Sequence, residues 1–207
     1  RSFNLNHNAT NQRIIAYTDA AADKEMKDVQ EIRATKGFTS SGTAIEQIIA
    51  TYASYDESAK AVSDFIEAKD IINNSVDSQG NVGKSVIVTY SEAPAMLDLG
   101  RNAALYSGDP VTRQTIKTAS FDVRGNSLDQ DITKEAYIEG AYKVSEKQHI
   151  VTSGYDIHDR AAASTIVNYD SADSTVDLPG TKIDTQVINY LEYDRYGNPL
   201  AQNLLTT

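Results

Sequence analysis

The sequence predicts an all-β protein: an elongated tandem array of β-hairpin repeats, about 38 residues each, in six copies with partial ends and with short helical or loop connectors. Three observations carry this. The chain resembles itself, Tyr193–Leu204 rhyming with Phe121–Ile132 and weaker copies beginning at Phe3, Phe38, Val76 and Tyr155. Stretches such as Val86-Ile87-Val88-Thr89-Tyr90, Thr165-Ile166-Val167-Asn168-Tyr169 and Gln186-Val187-Ile188-Asn189-Tyr190 are rich in β-branched and aromatic residues, which suit a pleated, half-buried surface. Between the strand stretches stands Asp-x-x-Gly-Asn, in which Asp bonds the backbone two residues on and Gly tolerates positive φ.

Counting starts at the anchors Phe3, Phe38, Val76, Phe121, Tyr155 and Tyr193, which are 35, 38, 45, 34 and 38 residues apart. Four places on, Gly42, Gly80, Gly125 and Gly197 mark a tight reversal, with His7 and Asp159 in the other two copies. Nine places on stand Gln12, Gln47, Gln130 and Gln202, with Ser85 and Ser164 substituting. Eleven places on, Ile14, Ile49, Ile87, Ile132, Ile166 and Leu204 are apolar in every copy. Fourteen places on, Tyr17, Tyr52, Tyr90 and Tyr169 recur, whereas Glu135 and Thr207 break the rule. A second half precedes each later anchor: Gln30, Lys69, Gln114, Gln148 and Gln186, each followed two residues later by Ile32, Ile71, Ile116, Ile150 and Ile188. The unit therefore reads strand, turn, strand, connector, and Pro199 just after its turn suits the start of an edge-compatible strand.

The connectors differ from one another. Tyr55–Lys69 spaces Ala59, Val62, Phe65 and Ile66 like a helix, with Asp56 as a cap, and Ala20–Asp28 and Ala93–Ala104 are further candidates for a short helix. Ser171–Thr181, with Pro179-Gly180, reads as a loop. Variable inserts at one point of a repeat map to one face of the array. The whole chain, 1–207, is read as a single repeat array whose units contact mainly their neighbours.

Composition narrows the partners. A net charge of −10 and a pI near 4.7 disfavour nucleic acid, which needs basic patches, and anionic membranes. With no cysteine the chain has no disulfide, and no apolar run reaches the ~18 residues of a transmembrane helix. The chain opens and closes on a strand half, which reads as an excised piece of something longer or as a subunit completed by a neighbour.

The core formed by Tyr193-Asp194 with Gly197-Asn198, Phe121-Asp122 with Gly125-Asn126, Val76-Asp77 with Gly80-Asn81 and Tyr155-Asp156 with Asp159-Arg160 resembles the YD-type repeats of Rhs and teneurin-like surface or secreted proteins. The resemblance implies a long spiral of β-hairpins on an extracellular or secreted bacterial protein. Two departures, a longer period and Gly-Asn where Gly-Arg-Leu is usual, put the closed shell of Rhs proteins in doubt.

Two glutamine sets, Gln12, Gln47, Gln130, Gln202 and Gln30, Gln114, Gln148, Gln186, recur at fixed registers, as either an amide ladder between stacked strands or a solvated strand face. The two isoleucine columns, six plus five positions, are expected to form the core. The tyrosine column reads as packing at the far end of each strand, with sugar stacking as the functional counterpart. Asp170, Asp173 and Asp177, and Asp19, Asp23 and Asp28, lack the spacing of an EF-hand and read as solvated acidic loops. His7, His149 and His158 do not pair at metal-ligand spacing, and no nucleophile elbow, dinucleotide fingerprint or P-loop occurs. The expectation is a non-enzymatic structural protein with no cofactor or metal, an extracellular rod or filament subunit assembling with itself by end-to-end strand pairing, without membrane insertion. The alternative is an adhesin or glycan-binding module using the connector face, with Tyr55, Tyr106 and Tyr142 as the tyrosines to test.

Overall fold

In a computed structural model, which describes residues 2–17, 26–93 and 108–207, the chain is all-β. Twelve strands run β1 (Ser2–Phe3), β2 (Ala9–Tyr17), β3 (Met26–Ala34), β4 (Glu46–Asp56), β5 (Ala61–Val76), β6 (Val82–Tyr90), β7 (Pro110–Phe121), β8 (Ser127–Ile138), β9 (Ala141–Ser153), β10 (Ala163–Tyr169), β11 (Lys182–Tyr193) and β12 (Pro199–Thr206). They form one antiparallel sheet whose strand order is the chain order, and no helix occurs among the described residues. The chain divides into two compact units, Arg1–Gly80 with Val86–Arg113, and Asn81–Ser85 with Gln114–Thr207.

The first unit has an apolar core. Opposite residues of antiparallel strands share a face, so the pairings Ile15↔Val29↔Tyr52 and Glu31↔Ala50↔Ala68 lay one row beside the next. Val29, Ala50 and Ala68 have no exposed surface, and Ile48 and Tyr52 are buried with them. The β4–β5 hairpin supplies a cover, placing Tyr55, Val62 and Phe65 against this cluster. Phe65 meets Tyr52 edge-on at 5.7 Å, and Arg13 sits 4.7 Å over the Tyr55 ring while donating to the Lys60 carbonyl at 3.2 Å.

The helix expected over Tyr55–Lys69 is therefore a correction: those residues end β4, turn, and start β5. The cap chemistry is present, since the Asp56 carboxylate accepts from the Ser58 and Ala59 amides at 2.8 and 3.0 Å. Lys60 and Asp64 then take φ of 52° and 57°, which a right-handed helix does not allow, and ladder bonds to β4 replace helical ones. Of Ala20–Asp28, residues 26–28 open β3 and the rest lies outside the described residues, as does Ala93–Ala104 apart from Ala93 itself. Ser171–Thr181 is a loop.

The isoleucine columns are a second correction. None of the eleven positions is buried: Ile14 and Leu204 are exposed, and Ile32, Ile49, Ile71, Ile87, Ile116, Ile132, Ile150, Ile166 and Ile188 are half-buried. Successive side chains of a strand point to opposite faces. Ile49 thus faces away from Ile48 and Ala50, and the covered face carries the neighbours of the columns.

Candidate functional site

Two constructions stand out, a ladder of turns and a polar cluster under a loop. The turns come first because the backbone chemistry dictates them. One place after each anchor, Asn4, Thr39, Asp77, Asp122, Asp156 or Asp194 accepts backbone N–H groups through its side chain. Asp122 and Asp194, for example, each take two, at 2.8–2.9 Å, and Asn4, Thr39, Asp77 and Asp156 do likewise with one or two. The residue four places after the anchor donates back to the carbonyl of that same residue in all six turns, at 3.0–3.2 Å. It takes positive φ every time: 63° at His7, 87° at Gly42, 96° at Gly80, 90° at Gly125, 60° at Asp159 and 88° at Gly197. Charge-assisted bonds favour the ionised Asp. Side-chain bonding to Asn126, Arg160 and Asn198 holds Asp122, Asp156 and Asp194 below the usual carboxylate range, Asp156 down at about 2.

Each turn also leans on the next. The side chain five places after one anchor meets the residue four places after the following anchor. A Cβ on Gly42 would lie 3.2 Å from Asn8 Oδ1, one on Gly80 3.1 Å from Thr43 Oγ1, one on Gly125 2.5 Å from Asn81 Oδ1, and one on Gly197 4.0 Å from Arg160 Cδ. In the remaining pair the contact is a hydrogen bond, Asn126 Nδ2 donating to Asp159 Oδ1 at 2.8 Å, with Arg124 Nε 3.2 Å from the same oxygen. Two anchors add ties to the preceding turn: the Tyr155 hydroxyl donates to the Ser127 carbonyl at 3.0 Å, and that of Tyr193 to the Ala161 carbonyl at 2.5 Å. The ladder of side chains at this fifth place (Asn8, Thr43, Asn81, Asn126, Arg160, Asn198) is polar throughout, a pattern in the sequence that the glycines beside it obscure.

The glutamines occupy a different place. Register sets Gln12 opposite Ile32, Gln47 opposite Ile71, Gln130 opposite Ile150, Gln30 opposite Ile14, Gln148 opposite Ile132 and Gln186 opposite Ile166. Gln202 faces Tyr190, and Gln114 lies half-buried in β7. Among the described residues, the amide bonds run to other polar side chains: Gln130 to Thr118 at 3.1 Å, and Gln148 to Asn168 at 2.8 Å, which continues to Asp184 at 2.6 Å. A strand irregularity recurs beside the tyrosine column, with the register shifting at Ala16/Tyr17, Thr51/Tyr52, Lys134/Glu135 and Asn168/Tyr169, each time thirteen to fourteen places past an anchor.

The second construction lies in the second unit. Where β4 and β5 bury Ala50, Tyr52 and Ala68, β8 and β9 at the same distances from their flanking turns bury Thr133, Glu135 and Lys147, which are 1 %, 4 % and 2 % exposed. A buried polar group costs several kcal/mol without partners (~2–7). Lys147 finds them in Thr133 Oγ1 at 3.0 Å and the Val176 carbonyl at 3.3 Å. Burial lowers its pKa. Lys117 donates to the same carbonyl at 3.3 Å and to Asp177 at 2.6 Å, which pulls the Asp177 carboxyl down. The two ammonium groups thereby dock loop 171–181 onto the sheet. Within the loop, Asp173 takes the Thr181 amide at 3.0 Å and its hydroxyl at 2.7 Å, and the Ser174 hydroxyl bridges the Asp170 carbonyl and the Gly180 amide at 2.5 and 2.9 Å.

Between this loop and the β8–β9 hairpin lies an open cleft of about 660 Å³. The hairpin contributes Glu135, Tyr142, Lys143 and Val144; the loop contributes Ser171, Thr175, Val176 and Asp177. The hairpin is closed by Glu139 and Gly140 at φ 53° and 81°, the signature of a two-residue type I′ turn. Tyr137 and Tyr142 stack edge-on above it at 5.1 Å. Of the three connector tyrosines, Tyr55 is taken up by Arg13, Tyr106 lies outside the described residues, and Tyr142 lines the cleft. Asp170, Asp173 and Asp177 spend their oxygens on the loop and on Lys117, Asp28 lies in β3, and Asp19 and Asp23 lie outside the described residues. No cluster of three metal-ligating residues occurs among the described residues.

No family model matches the chain, and no curated protein matches it. Among solved structures it is similar to a protein of unknown function from Bacteroides fragilis, at 11% identity and a TM-score of 0.37, over 84% of this chain and 91% of that one.

Proposed function

We propose that the chain is a structural β-repeat protein, six copies of a unit of about 38 residues, which assembles with further strands at its sheet edges in an extracellular, bacterial setting. The ladder of turns supports the repeat, because the same backbone geometry and the same side-chain reach return at each anchor. The observation that carries assembly is strand β12. Among the described residues it pairs with β11 alone, and its eight residues, Pro199–Thr206, include no charged residue. Leu200, Leu204 and Leu205 are 58–62% exposed, and Leu204 and Leu205, opposite Ile188 and Val187, point to the two faces of the sheet. Edge strands that must stay unpaired carry lysines, bulges or inward charges. Here Pro199 and the register shifts against β11 at Pro199–Gln202 blunt only the start of the edge, and Asn203–Thr206 run in regular register. A strand added there satisfies a row of N–H and C=O groups and covers leucine on both faces. Asn198 repeats the bond of Asn126 to its own turn, Nδ2 to Asp194 at 2.8 Å. Heterologous contacts of this kind that do not close generate filaments.

The test is sedimentation and electron microscopy of the protein across dilution, beside Leu204→Lys and Leu205→Lys. The expected result is concentration-dependent association, or filaments, that both variants abolish while their far-UV spectra stay unchanged. A monomer at every concentration, or association indifferent to both lysines, would sink the proposal.

A further inference from the structure

The junction between the fifth and sixth turns has the attributes of an anion site, and the ladder of turns itself supplies the template. At the junction before it, the turns anchored at Phe121 and Tyr155 meet through a carboxylate. Arg124 and Asn126 stand three and five places after one anchor, and Asp159 stands four places after the next. Asn126 Nδ2 donates to Asp159 Oδ1 at 2.8 Å, and Arg124 Nε lies 3.2 Å from the same oxygen. At the following junction the corresponding residues are His158, Arg160 and Gly197. The nitrogen-bearing side chains are kept on one side, and the carboxylate opposite them is gone. A Cβ on Gly42, Gly80 or Gly125 would meet the preceding turn at 3.2, 3.1 or 2.5 Å, whereas one on Gly197 meets nothing closer than 4.0 Å. The space there is a pocket of about 380 Å³, lined by His158, Arg160, Arg195, Tyr196 and Gly197. That volume stands at the lower end of the ~300–1,000 Å³ of ligand pockets, which suits a small guest.

The lining selects the ligand. It holds two guanidinium groups and no carboxylate. Asp156 and Asp194 belong to the same two turns but spend their oxygens there. Asp156 Oδ1 accepts from the His158 and Arg160 amides at 2.8 and 3.1 Å, and Asp194 accepts from the Tyr196 and Asn198 amides and from Asn198 Nδ2, each at 2.8 Å. Asp156 Oδ2 takes Nε and Nη2 of Arg160 at 2.7 and 2.6 Å, and the same guanidinium lies 5.2 Å over the Tyr193 ring. Arg160 is thereby held in place before any ligand arrives, which lowers the cost of binding. Its Nη1 makes no bond among the described residues. Arg195 sits 4.5 Å over the Tyr196 ring, donates to the Tyr196 hydroxyl, and has no carboxylate partner among the described residues. The chain has 29 acidic residues against 19 basic ones, yet none of those described reaches Arg195. A cation would meet two like charges, and an apolar guest would strip their water. The guanidinium fork matches the two oxygens of a carboxylate. We infer that this pocket binds a small carboxylate, which takes the place beside Gly197 that the Asp159 side chain fills one turn earlier, with Arg160 and Arg195 donating to its oxygens.

The experiment titrates the full chain with succinate, with inorganic phosphate and with sodium chloride at matched ionic strength, and reads amide shifts. The expected result is saturable shifts with succinate, centred on residues 158–160 and 195–197, which chloride does not produce. Affinity for succinate should fall about tenfold or more in Arg195→Ala, which removes charge-assisted bonds. It should fall as far in Gly197→Asp, which supplies the carboxylate from the chain itself. Asp tolerates the left-handed φ of 88° at this position better than most residues do. Arg195 is exposed, so its variant keeps the test valid if Gly197→Asp disturbs the turn. The inference is overturned by shifts that do not saturate or that chloride reproduces, by tighter binding of phosphate than of succinate, or by either variant keeping both its fold and the wild-type affinity.

Discussion

Gly125→Ala is the sharpest probe of the turn ladder, provided that it is measured beside Gly140→Ala. Both glycines hold left-handed backbone, φ 90° and 81°, so an added Cβ meets the same conformational penalty, about 1–2 kcal/mol. They differ in surroundings. Nothing lies within 4 Å of a Cβ at Gly140, whereas one at Gly125 would stand 2.5 Å from Asn81 Oδ1. That oxygen has to retreat by roughly 1 Å, which costs about 0.5–1.5 kcal/mol if the side chain leaves its rotamer and a similar amount if a hydrogen bond is lost. Gly140→Ala should therefore cost ~1–2 kcal/mol and Gly125→Ala ~2–5 kcal/mol. For a chain of this size each kcal/mol lowers the melting temperature by roughly 2–4 °C. Urea titrations of both variants, of Asn81→Ala and of Asn81→Ala/Gly125→Ala complete a double-mutant cycle. Removing the Asn81 amide relieves the clash, so the double variant should be less destabilised than the sum of the singles by about 1 kcal/mol or more. Equal costs for the two glycines, or strict additivity in the cycle, would refute the idea that turns are in contact through these positions.

Further predictions concern ionisation and the loop. Asp156 is held at about 2 by its bonds to Arg160, so its stabilising effect is complete above the unfolded value of ~3.9 and disappears as pH falls toward 2; melting curves of the wild type and Asp156→Asn should differ at pH 6 and converge near pH 2. Asp70 has the opposite sign. Burial first, and the neighbouring Glu46 second, raise it to about 6, and its Oδ1 has no hydrogen-bond partner, so ionising it penalises the fold as pH rises from about 4 through 6. Asp70→Asn should melt higher than the wild type at pH 7.5, with the gap closing by about pH 4, and an equal gap at both pH values would count against the assignment. Lys147→Met removes a buried cation and one tether of the loop; amide exchange at residues 174–178 should quicken about tenfold while the global unfolding midpoint holds or rises, and unchanged exchange would show that Lys117 alone holds Val176.

The turns were legible in the sequence because their chemistry is local. An Asp, Asn or Thr that caps its own turn and a residue at positive φ, glycine in four of the six, need nothing from the rest of the chain, and every anchored turn has that form. The β-branched strands were legible for the same reason. Which face of a strand is covered was not, since alternation assigns two faces and leaves open what folds over either. The cover comes from the tip of the β4–β5 hairpin, with Tyr55, Val62 and Phe65, and from loop 171–181. The isoleucine columns were the more regular set and yet lie on the less covered face. The helical spacing over Tyr55–Lys69 failed because residues that alternate around a bulge and a positive-φ Asp64 also present an apolar side at uneven intervals. Glu135 was visible as one of two breaks in the tyrosine column, Thr207 being the other.

The turns that differ from one another do so for physical causes. Four places after the anchor, glycine stands where the preceding turn brings Asn8, Thr43 or Asn81 close, because a Cβ there competes with that side chain for space; at Gly197 a Cβ would only touch Arg160 Cδ at 4.0 Å. Asp159 replaces glycine where the preceding turn offers Asn126 and Arg124, two donors that a carboxylate can satisfy. Asp tolerates the left-handed region better than most residues do, so the exchange is inexpensive. His7 belongs to the first of the six turns, and its side chain meets no earlier anchored turn in the described chain. The same reasoning reaches Lys147. A buried lysine, where the first unit has alanine, requires partners to make up for its lost hydration, and here they are Thr133 and the loop carbonyl of Val176.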